Sequence, residues 1–485
     1  MREAKRRSNP VTLLKGNILN KKIFLFTFIS FLAISLCIIF VPHFLGVADQ
    51  GDFERVMTPV GLTFPPNYDF YKYIHLWYPL TNIPSYAFLL PSHYFIVLLT
   101  RLICQLFMQN AFSLPFYTII ITTLYCLALS LNLSLFFKNF NWKFFIAFAL
   151  AIFIFLDGNT LMWFGSLYGE PVAFIGVLFA IFSFLLCAKY PRSKWSLLLF
   201  FVANIIALCA KLQMITFLPI SIIFGIYLIW QNKKRLIPII LCLTIFCGYA
   251  YGYYNVTGLY MNHATVYQSL TTGILEYDNN PKIFIDKIGL DERILQDVGK
   301  NAYLPAEDYA FLSPLANLSE SDAQIFSKIS NSTIIKFYIT HPNVLIKGLQ
   351  YTAKEALNTS SGLGHYTNNY PFSSENNRWN SWSNLRMHLS GSLLFFIILA
   401  LLIITVIILT FRKKKEIALA LLAVFYVAAV QFVMPFIFNG TCDTGKQLLI
   451  FNFCFDILAF LGILTIINII PYLTRKISLK KKGSN

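Results

Sequence analysis

Long uninterrupted apolar segments recur along this chain and restrict its fold more than any other feature of the sequence. A helix needs about 20 consecutive apolar residues to cross the hydrocarbon core of a bilayer. Hydrophobic residues make up 57% of the 485 residues and charged residues only 13%, which excludes an ordinary soluble enzyme. We therefore predict an all-α polytopic membrane protein with about ten transmembrane helices. The predicted spans are Ile23–Gly46, Phe112–Phe137, Phe144–Leu156, Val172–Ala188, Trp195–Ala210, Ile215–Trp230, Leu236–Tyr254, Leu389–Phe411, Ile417–Phe438 and Leu448–Ile470. The third is short, and we expect it to continue past Asp157.

The distribution of charged residues predicts how these spans are oriented. Cytoplasmic loops of membrane proteins carry an excess of Lys and Arg. With the N-terminus in the cytoplasm, 24 of the 39 basic residues lie in predicted cytoplasmic segments, where only Glu3 and Glu416 are acidic. The net charge of +17 therefore indicates topology and not nucleic-acid binding. We expect a multi-pass membrane protein with both termini cytoplasmic. Its first span is expected to be an uncleaved signal anchor, and its Ser92–Met108 segment an interfacial helix.

Three regions follow from this arrangement. Residues 1–255 form an N-terminal membrane module, in which residues 47–110 are the predicted catalytic first outer loop. Residues 256–388 are long enough to fold as an extracytoplasmic domain, and their pattern of helix-start signals predicts that it is helical. Residues 389–485 form a C-terminal membrane module.

Acidic residues recur where predicted helices emerge on the outer side: Asp49, Asp52, Asp157, Glu170 and Asp443. Carboxylates gathered at one interface can form a site that meets both a lipid head group and an aqueous substrate. The alternative is that charges at helix ends are simply solvated. For Asp157 and Asp443 the two interpretations are equally open. The others lie in Gly-containing aromatic runs, which favours a function.

Basic residues are scarce near the outer ends of the spans. Lys211 and Lys446 each border an apolar helix. A cation held there without an acidic neighbour in sequence suggests an anionic partner, and a lipid phosphate is the local candidate. The alternative is a snorkelling lysine that anchors the helix end. Arg378 and Arg386, just before the eighth span, are further candidates.

Several other residues near these charges are candidates for contacts with a substrate. Aromatic faces pack well against sugar C–H surfaces, although interfacial tryptophans more often belong to an aromatic belt. His365 and His263 have no second His or Cys at metal-binding spacing, so we interpret them as structural or substrate-contacting residues. Asp456 lies inside the last span and needs a partner, which Asn452 or a neighbouring helix could supply. The candidate substrate-binding residues are Arg101, Asp157, Tyr168, Gln213, His365, Trp379 and Asp443.

Five motifs carry a resemblance to a known family: ADQGDF at 48–53, GSLYGEP at 165–171, AKLQ at 210–213, HATVYQSLTTGILEYDNNPKIFIDKIGLD at 263–291 and GKQLLIFNFCFDIL at 445–458. Together they resemble the bacterial WsfD-like glycan biosynthesis hexose transferase family, within the GT-C class of polytopic membrane glycosyltransferases. The resemblance implies a GT-C-like bundle, a polyprenyl-phosphate sugar donor, a cell-envelope glycan acceptor and catalysis on the extracytoplasmic face. By position, it implies that Asp49 and Asp52 form the first-loop acidic motif. It likewise implies a second acidic site at Glu170 and a donor-phosphate contact at Lys211. The D-x-x-D spacing differs from the adjacent acidic pair of many GT-C enzymes, so either Asp can be the base.

The chemistry of such a transfer matches the residues available. A sugar that leaves a lipid phosphate needs no protonation of the leaving group, so one carboxylate base and phosphate-binding cations are sufficient. We predict an inverting single displacement with Asp49 or Asp52 as the base and Glu170 as an acceptor-orienting group or alternative base. The predicted phosphate contacts are Lys211, Lys446 and Arg378. The sequence requires no cofactor, although Mg²⁺ or Mn²⁺ could be shared by the three carboxylates if they converge.

Two other classes of protein stay open. One is a transporter or flippase for lipid-linked glycans or small molecules, and the other is a non-catalytic scaffold for an envelope complex. A transporter would be expected to place ionisable residues near the bilayer midplane, where only Asp456 lies.

Overall fold

The computed structural model describes residues 20–82, 91–108, 111–191, 193–231, 236–359, 379–389 and 391–482. These residues are mainly helical, with one antiparallel ribbon in which β1 (Trp77–Pro79) pairs with β2 (Ala111–Ser113). The α-helices are α1 (Lys21–Phe40), α2 (Glu54–Val60), α3 (Ser92–Met108), α4 (Leu114–Phe136), α5 (Trp142–Phe155), α6 (Gly158–Leu161), α7 (Glu170–Lys189), α8 (Lys194–Leu208), α9 (Leu218–Gln231), α10 (Leu236–Ser269), α11 (Leu275–Tyr277), α12 (Pro281–Ile288), α13 (Leu318–Ser321), α14 (Asn331–Thr340), α15 (Pro342–Glu355), α16 (Ser381–Met387), α17 (Leu393–Phe411), α18 (Lys415–Asn439), α19 (Thr444–Gln447) and α20 (Leu449–Lys482). Short 3-10 helices cover Met162–Gly165, Leu212–Phe217, Glu292–Asp297 and Ala306–Asp308, and π-helical turns cover Leu270–Ile274 and Asp322–Phe326.

Eight helical segments among the described residues are long and apolar enough to cross a membrane. They are Lys21–Phe40, Leu114–Phe136, Glu170–Lys189, Leu212–Gln231, Leu236–Val256, Leu393–Phe411, Lys415–Asn439 and Leu449–Ile467. The prediction of an all-α polytopic membrane protein is therefore confirmed.

The third predicted span does not continue straight past Asp157. It consists of α5 and the segment Gly158–Gly165, which are bent by 56° with respect to each other. The bend lies at Asp157 because its carboxylate accepts a hydrogen bond from the Asn159 N–H at 3.0 Å and so begins the new helix α6.

The fifth predicted span, Trp195–Ala210, forms the 15-residue helix α8, which is shorter than the eight spans. A helix of that length rises about 22 Å, less than the roughly 30 Å of the hydrocarbon core. It packs closely against α7, since a Cβ added at Gly176 would lie 2.5 Å from the Ala207 Cα. The predicted number of about ten spans therefore corresponds to eight full-length spans, one bent pair and this short helix.

The helices differ in how far protein surrounds them. In the most apolar part of α7, 89% of the residues are buried, whereas in α17 only 6% are. A helix that is apolar all round must lie inside a bundle or against lipid. We infer that α7 is the central helix and that α17 faces lipid. The central helix begins at Glu170, which places that carboxylate at the middle of one end of the bundle.

Residues 270–355, which we call the cap, fold over that end of the bundle. The core of the cap includes Ile285 and Phe337, and Phe436 of α18 packs into it. A Cβ at Gly348 would lie 1.9 Å from the Phe436 ring, so the cap contacts α18 without room for a larger residue. The cap is therefore fixed to the membrane bundle.

The helix α10 joins the bundle to the cap. It runs for 34 residues without interruption, although only Leu236–Val256 is apolar enough to span a membrane. The domain boundary predicted between residues 255 and 256 consequently falls inside a continuous helix. The segments after α1, before α7, after α8 and after α18 contact one another, and the segment after α18 also contacts the cap. All four therefore lie at the cap end.

Candidate functional site

Asp49 organises the first loop at the cap end of the bundle. Its Oδ1 accepts hydrogen bonds from the backbone N–H groups of Gly51, Asp52 and Phe53 at 2.7, 2.9 and 3.1 Å. Its Oδ2 accepts one from the Tyr68 hydroxyl at 3.3 Å. Burial raises the pKa of Asp49, and the backbone donors oppose that rise without cancelling it. Both oxygens of this carboxylate are thus engaged in holding the loop.

Asp52, three residues later, has a different environment. Its carboxylate forms an ion pair with Lys446 of α19 and a second one with Arg55 at 3.0 Å. The side chains of Asp52 and Lys446 are 20% and 9% exposed, so a solute at the surface can reach the pair. Burial by itself raises the pKa of Asp52, but the positive charges of Lys446 and Arg55 outweigh it and lower that pKa well below its usual range. Conversely, burial lowers the pKa of Lys446, and the attraction of Asp52 outweighs it and raises that pKa.

A second ion pair joins Glu170 to Lys211 at 2.7 Å, with side chains 1% and 18% exposed. Glu170 lies in the first turn of α7, where the helix dipole favours a negative charge. Lys211 lies between α8 and the following 3-10 helix. Each lysine therefore has an acidic partner that is distant in sequence, 41 positions away for Lys211 and 394 for Lys446.

Tyr168 connects the first loop to the second ion pair. Its hydroxyl donates to the Ala48 carbonyl and accepts from the Gln50 N–H, both at 3.1 Å. The Lys446 Nζ lies 4.8 Å from the centre of the Tyr168 ring, a cation–π contact. Tyr168 precedes Glu170 by two residues, so one short segment holds the loop, the lysine and the carboxylate.

The two ion pairs act on each other electrostatically. The charge of Lys211 contributes to lowering the pKa of Asp52, and the charge of Glu170 contributes to raising the pKa of Lys446. We call Asp52, Glu170, Lys211 and Lys446 the carboxylate–lysine cluster. Chemically, such a cluster can accept a proton at an exposed carboxylate and bind an anion at the ammonium groups.

A direct backbone contact holds the first loop against the segment that carries Tyr168. A Cβ added at Gly165 would lie 2.2 Å from the Leu45 carbonyl oxygen, and one added at Gly46 would lie 2.3 Å from the Gly165 oxygen. Only glycine permits so close an approach of two backbones. The first glycine of the GSLYGEP motif, Gly165, is therefore required by this close contact between two backbones.

A second polar cluster fixes α16 to the bundle. Arg386 forms a buried ion pair with Asp456, which also accepts a hydrogen bond from Trp382 Nε1 at 2.7 Å. The Ser383 hydroxyl donates to Asp157 Oδ1 at 2.7 Å. Asp157, Trp382, Ser383, Arg386 and Asp456 are all at most 6% exposed, and we call them the α16 clamp.

Besides Tyr168, two of the predicted substrate-binding residues adjoin the carboxylate–lysine cluster. Gln50 Nε2 donates to Asp443 Oδ2 at 3.4 Å, which brings Asp443 next to the first loop. Gln213 Nε2 donates to the Gln447 carbonyl at 2.9 Å, beside Lys446.

Other predicted residues lie elsewhere. Arg101 is 5% exposed and donates to the Thr81 carbonyl at 2.8 Å, so it connects α3 to the first loop. Asp157 belongs to the α16 clamp, and the Trp379 carbonyl accepts the Gly158 N–H at 2.8 Å beside that clamp. The positions of His365 and Arg378 lie outside the described residues.

Asp456 does not pair with Asn452, one turn earlier. The side-chain oxygen of Asn452 accepts the Leu357 N–H at 2.9 Å, and Arg386 supplies the partner of Asp456. Arg386, considered from its sequence position as a phosphate contact, is 1% exposed and fully engaged in this pair and in two further hydrogen bonds.

Sequence reasoning missed two residues that border the carboxylate–lysine cluster. Arg55 is the second cation on Asp52, and its i,i+3 spacing from Asp52 at the start of α2 was a usable signal. His93, at the start of α3, is buried, and this burial lowers its pKa to about 4 although the charge of Glu170 opposes the shift. His93 is therefore neutral at pH 7, and no local pattern placed it beside Glu170.

Among the described residues, no group of three His, Cys, Asp or Glu side chains is arranged so that it could hold a metal ion. The carboxylates of Asp52 and Glu170 are each balanced by a lysine.

Comparisons with known proteins give one match. The family model described as the YfdI N-terminal transmembrane domain matches residues 10–485. No curated protein and no solved structure matches the chain.

Proposed function

We propose that this chain, which belongs to the membrane glycosyltransferase-like family of the YfdI N-terminal transmembrane domain, moves a hexose from a polyprenyl-phosphate donor to a cell-envelope glycan or lipid-linked acceptor. The observation that supports the proposal is the carboxylate–lysine cluster. In it, two carboxylates and two ammonium groups from distant parts of the chain meet at one end of the membrane bundle. The distribution of basic residues along the sequence supports an outer position for that end.

Asp52 is the proposed base. Its carboxylate takes the proton of the acceptor hydroxyl while the acceptor oxygen bonds to the anomeric carbon of the hexose. The bond between that carbon and the donor phosphate oxygen breaks, and the electron pair stays on the phosphate, so the anomeric centre inverts. Lys446 and Lys211 hold the phosphate that leaves, and the buried Glu170 positions Lys211 through their ion pair.

The ion pair between Asp52 and Lys446 supports a role for the donor in activating the base. In the free protein the two cations beside Asp52 lower its pKa, which makes it a weak base. A donor phosphate that binds Lys446 competes with Asp52 for the ammonium group and so weakens the ion pair between Asp52 and Lys446. The pKa of Asp52 then rises, and the base becomes stronger only when the donor is present.

Asp49 is the proposed loop-organising residue and not the base, because four hydrogen bonds already occupy its two oxygens. An Asn at this position can still accept backbone hydrogen bonds through its amide oxygen. The variants Asp49→Asn and Asp52→Asn are therefore expected to behave differently.

The test uses the purified full chain in nanodiscs with radiolabelled polyprenyl-phosphate glucose and a cell-envelope glycan fraction as acceptor. We expect Asp52→Asn to lower the transfer rate about 10²- to 10⁴-fold, the range of a general base, and Asp49→Asn to lower it less than about tenfold. The matched control is Asp291→Asn, whose carboxylate pairs with Arg293 on the cap surface. Full transfer by Asp52→Asn would contradict the proposal, and donor that crosses the membrane unchanged would identify a flippase instead. Since lysines balance the carboxylates, we expect transfer to continue in EDTA.

A further inference from the structure

Two exposed tyrosines stand beside the carboxylate–lysine cluster, one from the first loop and one from the cap. Tyr71 is 53% exposed and Tyr303 is 57% exposed. Exposed aromatic side chains at the edge of a polar site can contact a ligand through their ring faces. Neither residue belongs to a motif that sequence reasoning selected.

The backbone holds Tyr71 in an unusual conformation. Its φ is +67°, in the left-handed region that side-chain-bearing residues rarely adopt, and its N–H donates to the Asp49 carbonyl at 2.8 Å. A bulky residue in this region is strained and persists only where the surrounding structure imposes the conformation. The same Asp49 whose carboxylate turns the loop toward Asp52 thus also directs Tyr71.

The backbone of the cap fixes Tyr303 just as firmly. Residues 299–304 form a short loop that is anchored at its start, where Thr271 Oγ1 donates to the Lys300 carbonyl at 2.8 Å. At its end, the Tyr309 hydroxyl accepts the Leu304 N–H at 3.0 Å. Tyr303 therefore has a defined position above the bundle.

The same turn of the cap also holds the segment that carries Lys446. Thr272 Oγ1, next to Thr271, accepts the Thr441 N–H at 3.2 Å, two residues before Asp443. The loop of Tyr303 and the turn leading to Lys446 are consequently attached to adjacent residues of one π-helical turn, Leu270–Ile274.

The same charged groups, Asp52, Asp443 and Lys446, act on the hydroxyls of both tyrosines. Burial raises the pKa of the Tyr71 hydroxyl, followed by the charges of Asp443 and Asp52, while Lys446 opposes the rise. Partial burial of the Tyr303 hydroxyl likewise raises its pKa. Arg55 and Lys446 oppose the rise, while Asp52 and Asp443 add to it. Three charged groups thus act on both phenols.

We propose that Tyr71 and Tyr303 form the aromatic walls of a subsite that binds a neutral hexopyranose ring above the carboxylate–lysine cluster, an inference that rests on the proposed function. Aromatic faces pack against the C–H surfaces of a sugar ring, and the sugar hydroxyls can donate to Asp52 and Asp443. A purely apolar ligand would cover these carboxylates without donating a hydrogen bond to either, and a phosphate would meet the charge of Asp443. A neutral, hydroxyl-rich ring satisfies both the aromatic and the acidic groups.

The test is binding of methyl α-D-glucopyranoside to the full chain in nanodiscs, which avoids sugar-based detergents, measured by saturation-transfer NMR. We expect Tyr71→Asn, which removes the ring and tolerates the left-handed conformation, and Tyr303→Ala each to weaken binding about three- to tenfold. Tyr71→Phe and Tyr303→Phe keep the ring and should bind within about twofold of wild type, which shows that a weakened variant has lost the ring and not its fold. The control is Tyr251→Ala, an exposed tyrosine on α10 within the membrane span.

No saturable binding by wild type, or equal binding by wild type, Tyr71→Asn and Tyr303→Ala, would overturn the subsite. The binding experiment and the transfer assay test the subsite and the proposed function separately. Ring-dependent sugar binding without transfer would remove the proposed function and leave the subsite, whereas transfer with no ring-dependent binding would remove the subsite alone. Where transfer occurs, a raised KM for the acceptor or for the donor in Tyr303→Ala identifies which of the two sugars the subsite holds.

Discussion

We expect Arg386→Met to destabilise the protein strongly, because it leaves the buried carboxylate of Asp456 without a counter-charge. Both side chains are at most 2% exposed, so water cannot replace the lost partner. Breaking a buried ion pair by removing one member costs about 3–5 kcal/mol. Arg386 also donates to the Leu357 carbonyl at 3.2 Å and to Thr359 Oγ1 at 3.0 Å, and the loss of these two charge-assisted hydrogen bonds adds to the cost.

The remaining donor to Asp456 reduces this cost only in part. Trp382 Nε1 stays 2.7 Å from the carboxylate and offsets about 1–2 kcal/mol. The expected loss is therefore about 4 kcal/mol, a large fraction of the roughly 5–15 kcal/mol that stabilises a typical domain. The double variant Arg386→Met/Asp456→Leu removes both charges and should recover most of that loss, because the desolvated charge is gone.

The measurement is unfolding of the full chain in mixed micelles by SDS titration, followed by tryptophan fluorescence. The control is Arg293→Met on the cap surface, whose pair with Asp291 has side chains 59% and 37% exposed and should contribute less than about 1 kcal/mol. If the double variant were as unstable as Arg386→Met alone, the cost would come from lost packing, and the electrostatic reasoning would be refuted.

Three further predictions concern the contacts that assemble the site. Gly165→Ala should lower both stability and transfer, because the added Cβ would lie 2.2 Å from a backbone oxygen. The control Gly248→Ala, whose added Cβ would have nothing within 4 Å, should change neither. Equal effects of the two variants on thermal unfolding would contradict the close approach. The pKa of Asp52 is lowered and that of its lysine partner is raised, so the pair's contribution to stability is complete from about pH 5 to pH 9. This contribution is lost only as the pH falls through the folded-state pKa of Asp52 or rises through that of the lysine. The difference in thermal stability between wild type and Asp52→Asn should therefore stay constant from pH 5 to 8 and should not shrink toward pH 5. Ser383→Ala should cost about 1.5–3 kcal/mol in SDS unfolding, because it removes a hydrogen bond to the buried carboxylate of Asp157, and a loss under about 0.5 kcal/mol would show that this bond contributes little.

Helix positions in this protein were predictable because they follow from local hydrophobicity. The predicted span Ile417–Phe438 lies within α18, and Leu236–Tyr254 lies within the span Leu236–Val256. The first span was predicted to reach Gly46, but α1 ends at Phe40. Residue 42 is a proline, which disfavours helix at the preceding residue, and this local signal outweighed hydrophobicity.

The roles of the candidate site residues could be predicted from the sequence only in part. The sequence selects the acidic residues and the lysines individually by their positions at helix ends, but it does not indicate which carboxylate pairs with each lysine. Both lysines are in fact paired, since α7 and α19 bring Glu170 and Lys446 to the same end of the bundle as the first loop. Which of Asp49 and Asp52 is free to react likewise depends on the backbone turn around Asp49.

The sequence alone determined the membrane class and the positions of most spans, because the transfer of apolar side chains into lipid depends on runs of residues that are adjacent in the chain. Only the tertiary structure decided that Asp52 meets Lys446 across 394 positions, that Arg386 neutralises Asp456, and that two tyrosines from separate regions stand beside the same charges. The physical reason is that Coulomb attraction and hydrogen bonding depend on distances of a few ångströms, and the packing order of the helices sets those distances.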